Sequence, residues 1–269
     1  MENTAEKFGS RLREWRGRRR LSQLALALES DISTRHLSFI ETGRAQPSRE
    51  MVLRLAKSLG IPLRERNLLL VAAGFAPISA ERPLSHPALE PAADAVRLVL
   101  AAHEPWPALA IDRHWNLIQS NRALMPYLAG CASELLEPPT NVLRISLHPA
   151  GMGSRIINYG EWRDHILARL RRSIDVSADP GTSDLADELA MLPSPFRTRS
   201  RIGTAVGGVL IPLILETAVG IVSMFSTTTV FGTPLDVTLE EVAIEAFFPA
   251  DDLSADRMRK LFAMSVEAK

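Results

Sequence analysis

A single cysteine, Cys131, stands among 269 residues, which excludes a disulfide framework within one chain and fits the reducing cytoplasm. Histidines number six and are scattered. His103 and His114 lie eleven apart, and His36 has no cysteine or second histidine at ligand spacing, so no metal site is expected. Catalytic signatures are missing too. There is no GxSxG and no HExxH; GMGSRI from Gly151 lacks the third glycine of a dinucleotide fingerprint, and GTAVGGV from Gly203 lacks the lysine of a phosphate loop. The expectation is a protein that is not an enzyme and needs no cofactor. No apolar run is long and clean enough to span a bilayer. In the nearest candidate, Ala205 to Phe225, Glu216 falls near the middle and Pro212 interrupts it, so two buried strands explain it better than a membrane span. The opening MENTAEKFGS carries no apolar core of a secretion signal.

Net charge is also missing, since 31 Lys and Arg balance 31 Asp and Glu. The balance hides a division. Residues 1–78 hold 14 basic against 8 acidic side chains, a surplus of six positive, and the remainder holds 17 against 23, six negative. The basic part suits a phosphate backbone and the acidic part argues against nucleic acid lying on it. The run Arg16, Arg18, Arg19 and Arg20, beside the stretch described next, is expected to touch that backbone.

What is present is concentrated in Leu21 to Arg44, LSQLALALESDISTRHLSFIETGR. Ser22 precedes an apolar run with Leu24, Ala27 and Leu28 at helical spacing and can cap a short helix ending near Glu29. Ser33 can cap a second, with Leu37 and Ile40 facing inward and Gly43 ending it. Only three or four residues separate the two, and Ile32 among them is expected to plug the core at a steep helix crossing. In front lies an amphipathic segment with Phe8, Leu12 and Trp15. Behind come Val52, Leu55, Ala56 and Leu59 after Pro47-Ser48, then a fifth helix from Leu63 to Ala73 that stops at Gly74. Five helices in residues 1–76 make a compact all-α domain.

This stretch resembles the helix-turn-helix domains of the phage repressors and Cro. The resemblance implies that Gln23 holds a phosphate and supports the recognition helix, and that Thr34 and Arg35 reach base edges. Ser38 and Phe39 share their outer face, where an outward Phe39 could touch a thymine methyl. Arg44 and Ser48 complete the expected DNA-contacting set, and Glu41 is implied to pair with Arg16. Asp31 stands where such domains usually carry glycine, which is tolerable because Asp enters the left-handed region more readily than most residues. One recognition helix reads few base pairs, so a homodimer on a palindromic double-stranded operator is expected.

Pro77, Pro83, Pro87 and Pro91 mark residues 77–91 as a fairly stiff linker, followed by a second domain over 92–269. A helix from about Ala92 to His103 leads into PALAIDRHWNLIQSNRA, which reads as strand, turn, strand and a helix capped by Asn121. Residues 153–191 are helical in pattern, with one stripe of Ile156, Trp162, Ile166, Leu167 and Leu170 and another of Leu185 and Leu189. Val209 to Thr217, Gly220 to Phe231 and Val242 to Phe248 read as strands, and Ser254 to Val266 as a closing helix. Without regular βαβ alternation, this is an α+β layout with an antiparallel sheet and helices on one side.

AIDRHWNLIQSN at 110–121, LHPAGM at 147–152 and FSTTTVFGTPLDVTLEEVAIEAFFPAD at 225–251 resemble, in that order, the ligand-binding domain of the MmyB-like transcription regulators. The resemblance implies a PAS-like domain behind the helix-turn-helix, with a pocket for an apolar small molecule such as a fatty acid. Alternation along the second strand puts Ile221, Ser223, Phe225, Thr227, Thr229 and Phe231 on one face, a wall suited to an amphiphile or simply packed under helices. Trp115 and Trp162 could line such a cavity or fill it. The candidate ligand set is Trp115, Trp162, Phe225, Thr227 and Phe231. The alternative is a second domain that only dimerises or recruits a protein partner.

Overall fold

The computed structural model describes residues 4–194 and 210–267, so the 203–209 stretch of the second glycine-rich motif lies outside the described residues. The chain divides into two compact units. One comprises residues 1–82 with 233–240, and the other residues 83–232 with 241–269.

The first unit is built from α1 (Thr4–Arg18), α2 (Gln23–Glu29), α3 (Thr34–Glu41), α4 (Arg49–Ser58) and α5 (Leu63–Ala72). Three serines start three of these helices as the sequence signals. The hydroxyls of Ser22, Ser33 and Ser48 accept from the backbone N–H groups of Ala25, His36 and Met51 at 3.0, 3.1 and 3.2 Å. Phe8, Leu12, Trp15, Leu37, Ile40, Val52, Leu55, Ala56 and Leu59 are buried. In α2 the expected inward face is rotated. Leu24 and Leu28 are exposed, and Leu26 with Ala27 goes inside, because a seven-residue helix reading QLALALE offers apolar side chains in every direction. Ile32 is half-buried rather than a central plug. Gly9 lets α1 lie directly on the end of α3, since a Cβ there would stand 2.6 Å from the carbonyl oxygens of Ile40 and Glu41.

Beyond α5, Asn67 fastens the chain back on itself. Its carboxamide oxygen accepts from Ile78 N and Ser79 N at 3.1 and 3.2 Å, and its Nδ2 donates to Ser79 O at 2.7 Å. The first unit also takes in residues 233–240, where Glu240 accepts the Leu63 N–H at 2.6 Å and Asp236 pairs with Arg82 at 3.3 Å.

The second unit carries α6 (Glu90–Ala102), β1 (Ala108–Ile111), β2 (Leu117–Ser120), the short helices α7 (Met125–Leu128), α8 (Ser133–Leu136) and α9 (Val142–Leu147), and the long pair α10 (Tyr159–Ser177) and α11 (Pro180–Met191). After these come β3 (Leu213–Thr217), β4 (Gly220–Val230), β5 (Ala243–Pro249) and α13 (Asp252–Glu267), while the turn α12 (Val237–Glu241), between β4 and β5 in the chain, falls almost wholly in the 233–240 segment of the first unit. The sheet is five-stranded and antiparallel in order β2-β1-β5-β4-β3.

Helices cover both faces of this sheet, not one. Leu109, Ile111, Val222 and Met224 join Trp162, Ile166 and Leu170 of α10 in the larger core, while Ala108, Ala110 and Ile244 face Val96 and Leu100 of α6. Every residue of β1 is therefore buried, with alternate side chains serving opposite cores. Asn121 does not cap the following turn with its side chain. It accepts from Ala108 N at 3.0 Å and donates to the carbonyls of Leu100 and Trp106 at 3.1 and 2.7 Å, tying α6 to β1.

Candidate functional site

In the first unit, α2 and α3 are joined by a turn in which Asp31 takes φ 51°, and Gly43 leaves α3 at φ 72°. The buried side of α3 is held by an unusual charge arrangement. The Glu41 side chain is fully buried and accepts from Arg16 Nε at 2.6 Å, Arg16 Nη2 at 2.9 Å and Gln23 Nε2 at 2.7 Å. This hydrogen bonding raises the Arg16 pKa further above its ordinary value. A buried carboxylate is tolerable only when so saturated, and here it ties α1, α2 and α3 into one body.

The opposite side of α3 carries Thr34, Arg35, Ser38 and Phe39. Arg35 is exposed and the other three half-buried, with the Arg35 guanidinium 5.4 Å from the Phe39 ring centroid. Phe39 thus supports Arg35 from beneath, a cation–π contact that limits where the guanidinium can point. Gln23 gives one amide hydrogen to Glu41 and has a second on the same nitrogen. Arg44 and Ser48 are exposed just beyond α3. The arginine run is mostly engaged inside the unit. Arg16 serves Glu41, Arg18 pairs with Glu14 at 2.8 Å, and Arg19 donates to Leu59 O at 2.9 Å and lies over Trp15. Arg20 is exposed. The four neighbouring cations, two on α1 and two in the turn after it, thus point in different directions.

The second unit holds a half-open cavity of about 70 Å³ between the inner face of the sheet and α7, α9 and α10. Its wall is aliphatic and aromatic, with Leu109, Leu143, Met152, Ile166 and Phe247 among the lining residues. Of the expected ligand set, Trp162 lines it. Trp115 takes φ 66° in the core and lies under the Arg169 guanidinium at 4.4 Å. Phe225 stacks on Phe248 at 5.5 Å, Thr227 is exposed, and Phe231 packs with the core under α6. The phase of β4 is therefore opposite to the expected one, and Val222, Met224 and Ser226 face inward.

Polar groups on the cavity wall are few. Glu245, 5% exposed, accepts from Arg169 Nη1 at 2.6 Å and Ser226 Oγ at 2.8 Å through the same oxygen. Trp162 Nε1 donates to Ser146 Oγ at 2.9 Å. Tyr127, 4% exposed, has a hydroxyl without a hydrogen-bond partner among the described residues, and burial pushes its phenol pKa well up. Behind Trp162, His165 stacks at 5.5 Å; burial, then Arg169 and Arg172, lower its pKa. Sequence reasoning missed Glu245 and Tyr127. A lone carboxylate inside AIEAFF is the signal that could have found the first.

The LHPAGM block turns tightly against α9 through its backbone. A Cβ on Gly151 would stand 2.2 Å from Ile145 O, Met152 N donates to Ile145 O at 2.7 Å, and Ile145, Ser146 and Met152 all line the space. Among the described residues no group of His, Cys, Asp and Glu could hold a metal ion, and no helix is long and apolar enough to cross a membrane.

A five-helix unit with a capped, outward-facing α3, beside an α+β unit with an apolar cavity, defines a helix-turn-helix regulator carrying a second, ligand-binding type of domain. A family model of the MmyB-like transcription regulator ligand binding domain matches residues 92–261, and a helix-turn-helix model matches residues 12–66. The chain belongs to the MmyB-like transcription regulators and is a DNA-binding transcription regulator. No curated protein matches. Similar solved structures include the restriction-modification controller protein C.AhdI from Aeromonas hydrophila, 39% identical over 23% of this chain and 94% of that one, with TM-score 0.22. Two structures of the clp gene regulator ClgR from Corynebacterium glutamicum are 27% and 25% identical, cover 28% and 39% of this chain and 92% and 99% of theirs, and have TM-scores of 0.25.

Proposed function

We propose that this protein is a cytoplasmic, sequence-specific regulator that binds a palindromic operator as a homodimer and responds to an apolar small molecule, a fatty acid or a derivative of one, held in its second unit. The observation that carries the reading half is the exposed face of α3, where Arg35 rests over Phe39 while the buried face is fixed through Glu41. Preorganised in this way, Thr34 and Arg35 would meet base edges in the major groove, with Ser38 and Phe39 beside them. Gln23, Arg44 and Ser48 would hold the phosphates that set the register. The effector half rests on the apolar cavity and its few directed polar groups. An effector would act by differential affinity for two arrangements of the dimer.

Selection and sequencing of DNA bound by the purified full chain tests the reading. The expected result is an inverted repeat with half-sites about one helical turn, roughly 34 Å, apart. Sites enriched without a repeat would overturn the homodimer, and no enrichment would overturn the assignment of α3 as reader.

A further inference from the structure

Two paired strands of the sheet are joined by a loop that belongs to the other unit. Val230, the last residue of β4, pairs with Ala243, the first of β5, so the chain between them leaves and re-enters the sheet at one point. Residues 233–240 of that loop are nevertheless part of the helical unit. They are fastened there at three places. Val237 is fully buried and its N–H donates to Ala80 O at 2.8 Å, the buried Asp236 pairs with Arg82 at 3.3 Å, and Glu240 Oε2 accepts the Leu63 N–H at 2.6 Å.

The last contact makes good a local deficiency. α5 starts at Leu63 behind Pro62, which offers no side-chain cap, and the first N–H groups of a helix have no partner within it. Glu240 supplies the cap from 177 positions along the chain, with its charge at the positive end of the helix. α5 in turn packs on α1 and α4, with Leu69 and Leu70 buried.

The roots of the loop are held as firmly on the sheet side. Val242 is buried and Phe231 packs against the same small core under α6. Glu241 lies 3.6 Å from Arg113, which also pairs with Asp179 at 3.4 Å. Consecutive glutamates therefore serve different units, Glu240 the helical one and Glu241 the one with the sheet. A link anchored at both ends passes on a displacement that a slack loop would absorb.

We propose that residues 233–240 couple the sheet to the DNA-binding unit, with Glu240 as the positioning residue: a shift of the paired ends of β4 and β5 seats or withdraws the cap on α5. Such coupling is reciprocal, so a seated loop also steadies the strand ends. Use of the link by an effector rests on the second unit being the effector domain; the link itself does not.

Native-state hydrogen exchange of the full chain, without DNA or effector, tests this. The Arg66 amide, which donates to Pro62 O in the first turn of α5, should lose about tenfold in protection in Glu240→Ala, the equivalent of one helix cap. Ala243 and Ile244, at the start of β5, should lose about threefold in the same variant. Glu240→Gln keeps an acceptor oxygen and should restore most of both losses. Val242→Ala, which loosens a root, should lower Arg66 protection about threefold when Glu240 is present and leave it unchanged in the Glu240→Ala background. Phe231→Leu, a smaller cut at the other root, should show the same pattern. An effect of Glu240→Ala confined to α5 would overturn the coupling and leave Glu240 a local cap. An effect of the root variants on Arg66 that is equal in both backgrounds, or absent from both, would overturn residues 233–240 as the route. Since neither DNA nor effector is present, either failure is distinct from a failure of the regulator reading, which the DNA selection tests.

Discussion

Replacing Arg16 with Ala removes two of the three short hydrogen bonds on the buried Glu41 carboxylate and a third donated to Leu21 O at 2.9 Å. Breaking a buried pair from one side costs about 3–5 kcal/mol, because the remaining charge is left without compensation. Two neighbours soften the loss here. Gln23 still donates at 2.7 Å, and Arg13, more than half exposed, has its Nε 3.8 Å from the carboxylate and can move closer. The expected cost is therefore at the low end, about 3 kcal/mol, which is roughly a 150-fold loss in the protection of amides that exchange by unfolding of this unit. Native-state hydrogen exchange at Leu37 and Ile40, both fully buried on α3, reads it without disturbance from the second unit. The paired variant Arg16→Leu with Glu41→Leu should recover at least half of the loss, since apolar replacement of a whole buried pair is often neutral. A loss of protection under about tenfold in the single variant would refute the reasoning, by showing that Arg13 and Arg16 are interchangeable.

On DNA, Arg35→Ala should cost about 1–3 kcal/mol and relax preference at one base position, while an equal loss on every sequence in a binding array would show that Arg35 touches only backbone. Arg44→Ala should weaken all sequences alike and lower the slope of log affinity against log salt by about one, and an unchanged slope would count against a phosphate contact. Because burial depresses the His165 pKa, the unfolded chain binds its proton first. The stabilising difference is whole above about pH 6.5 and declines as pH falls through the folded value, so thermal midpoints should drop in mildly acid buffer and drop less in His165→Asn. Gly151→Ala should destabilise the second unit by about 1–3 kcal/mol or more, seen as a lower urea midpoint, because its methyl would meet a backbone carbonyl that cannot swing away.

Capping was legible because it is local. Ser22, Ser33 and Ser48 announce their helices within three residues, and Asp31 and Gly43 mark the left-handed turns. The facing of short or mixed elements was not. In β4 both alternate sets contain apolar and hydroxyl residues, so only the register with β5, which sets Ser226 opposite Phe247 and lets its hydroxyl donate to Glu245, decides which set turns inward. Asn121 reads as a cap but serves three distant backbone groups, a role that exists only once α6 and β1 are packed. The outward face of α3 was legible because it follows from an inward pair, Leu37 and Ile40. The cavity's lining was mostly missed because a void is a property of many elements at once, and no single stretch of chain encodes it.

Residues 233–240 are sequence neighbours of the sheet yet members of the helical unit. The polypeptide therefore passes from one body to the other three times, after positions 82, 232 and 240. Domain shuffling by a single crossover would consequently fail here: a foreign head spliced in at 82 would leave Asp236 and Glu240 without Arg82 and the Leu63 amide. Any functional chimera must carry that eight-residue insert with the head it belongs to, so head and sheet are bound to be inherited as a set.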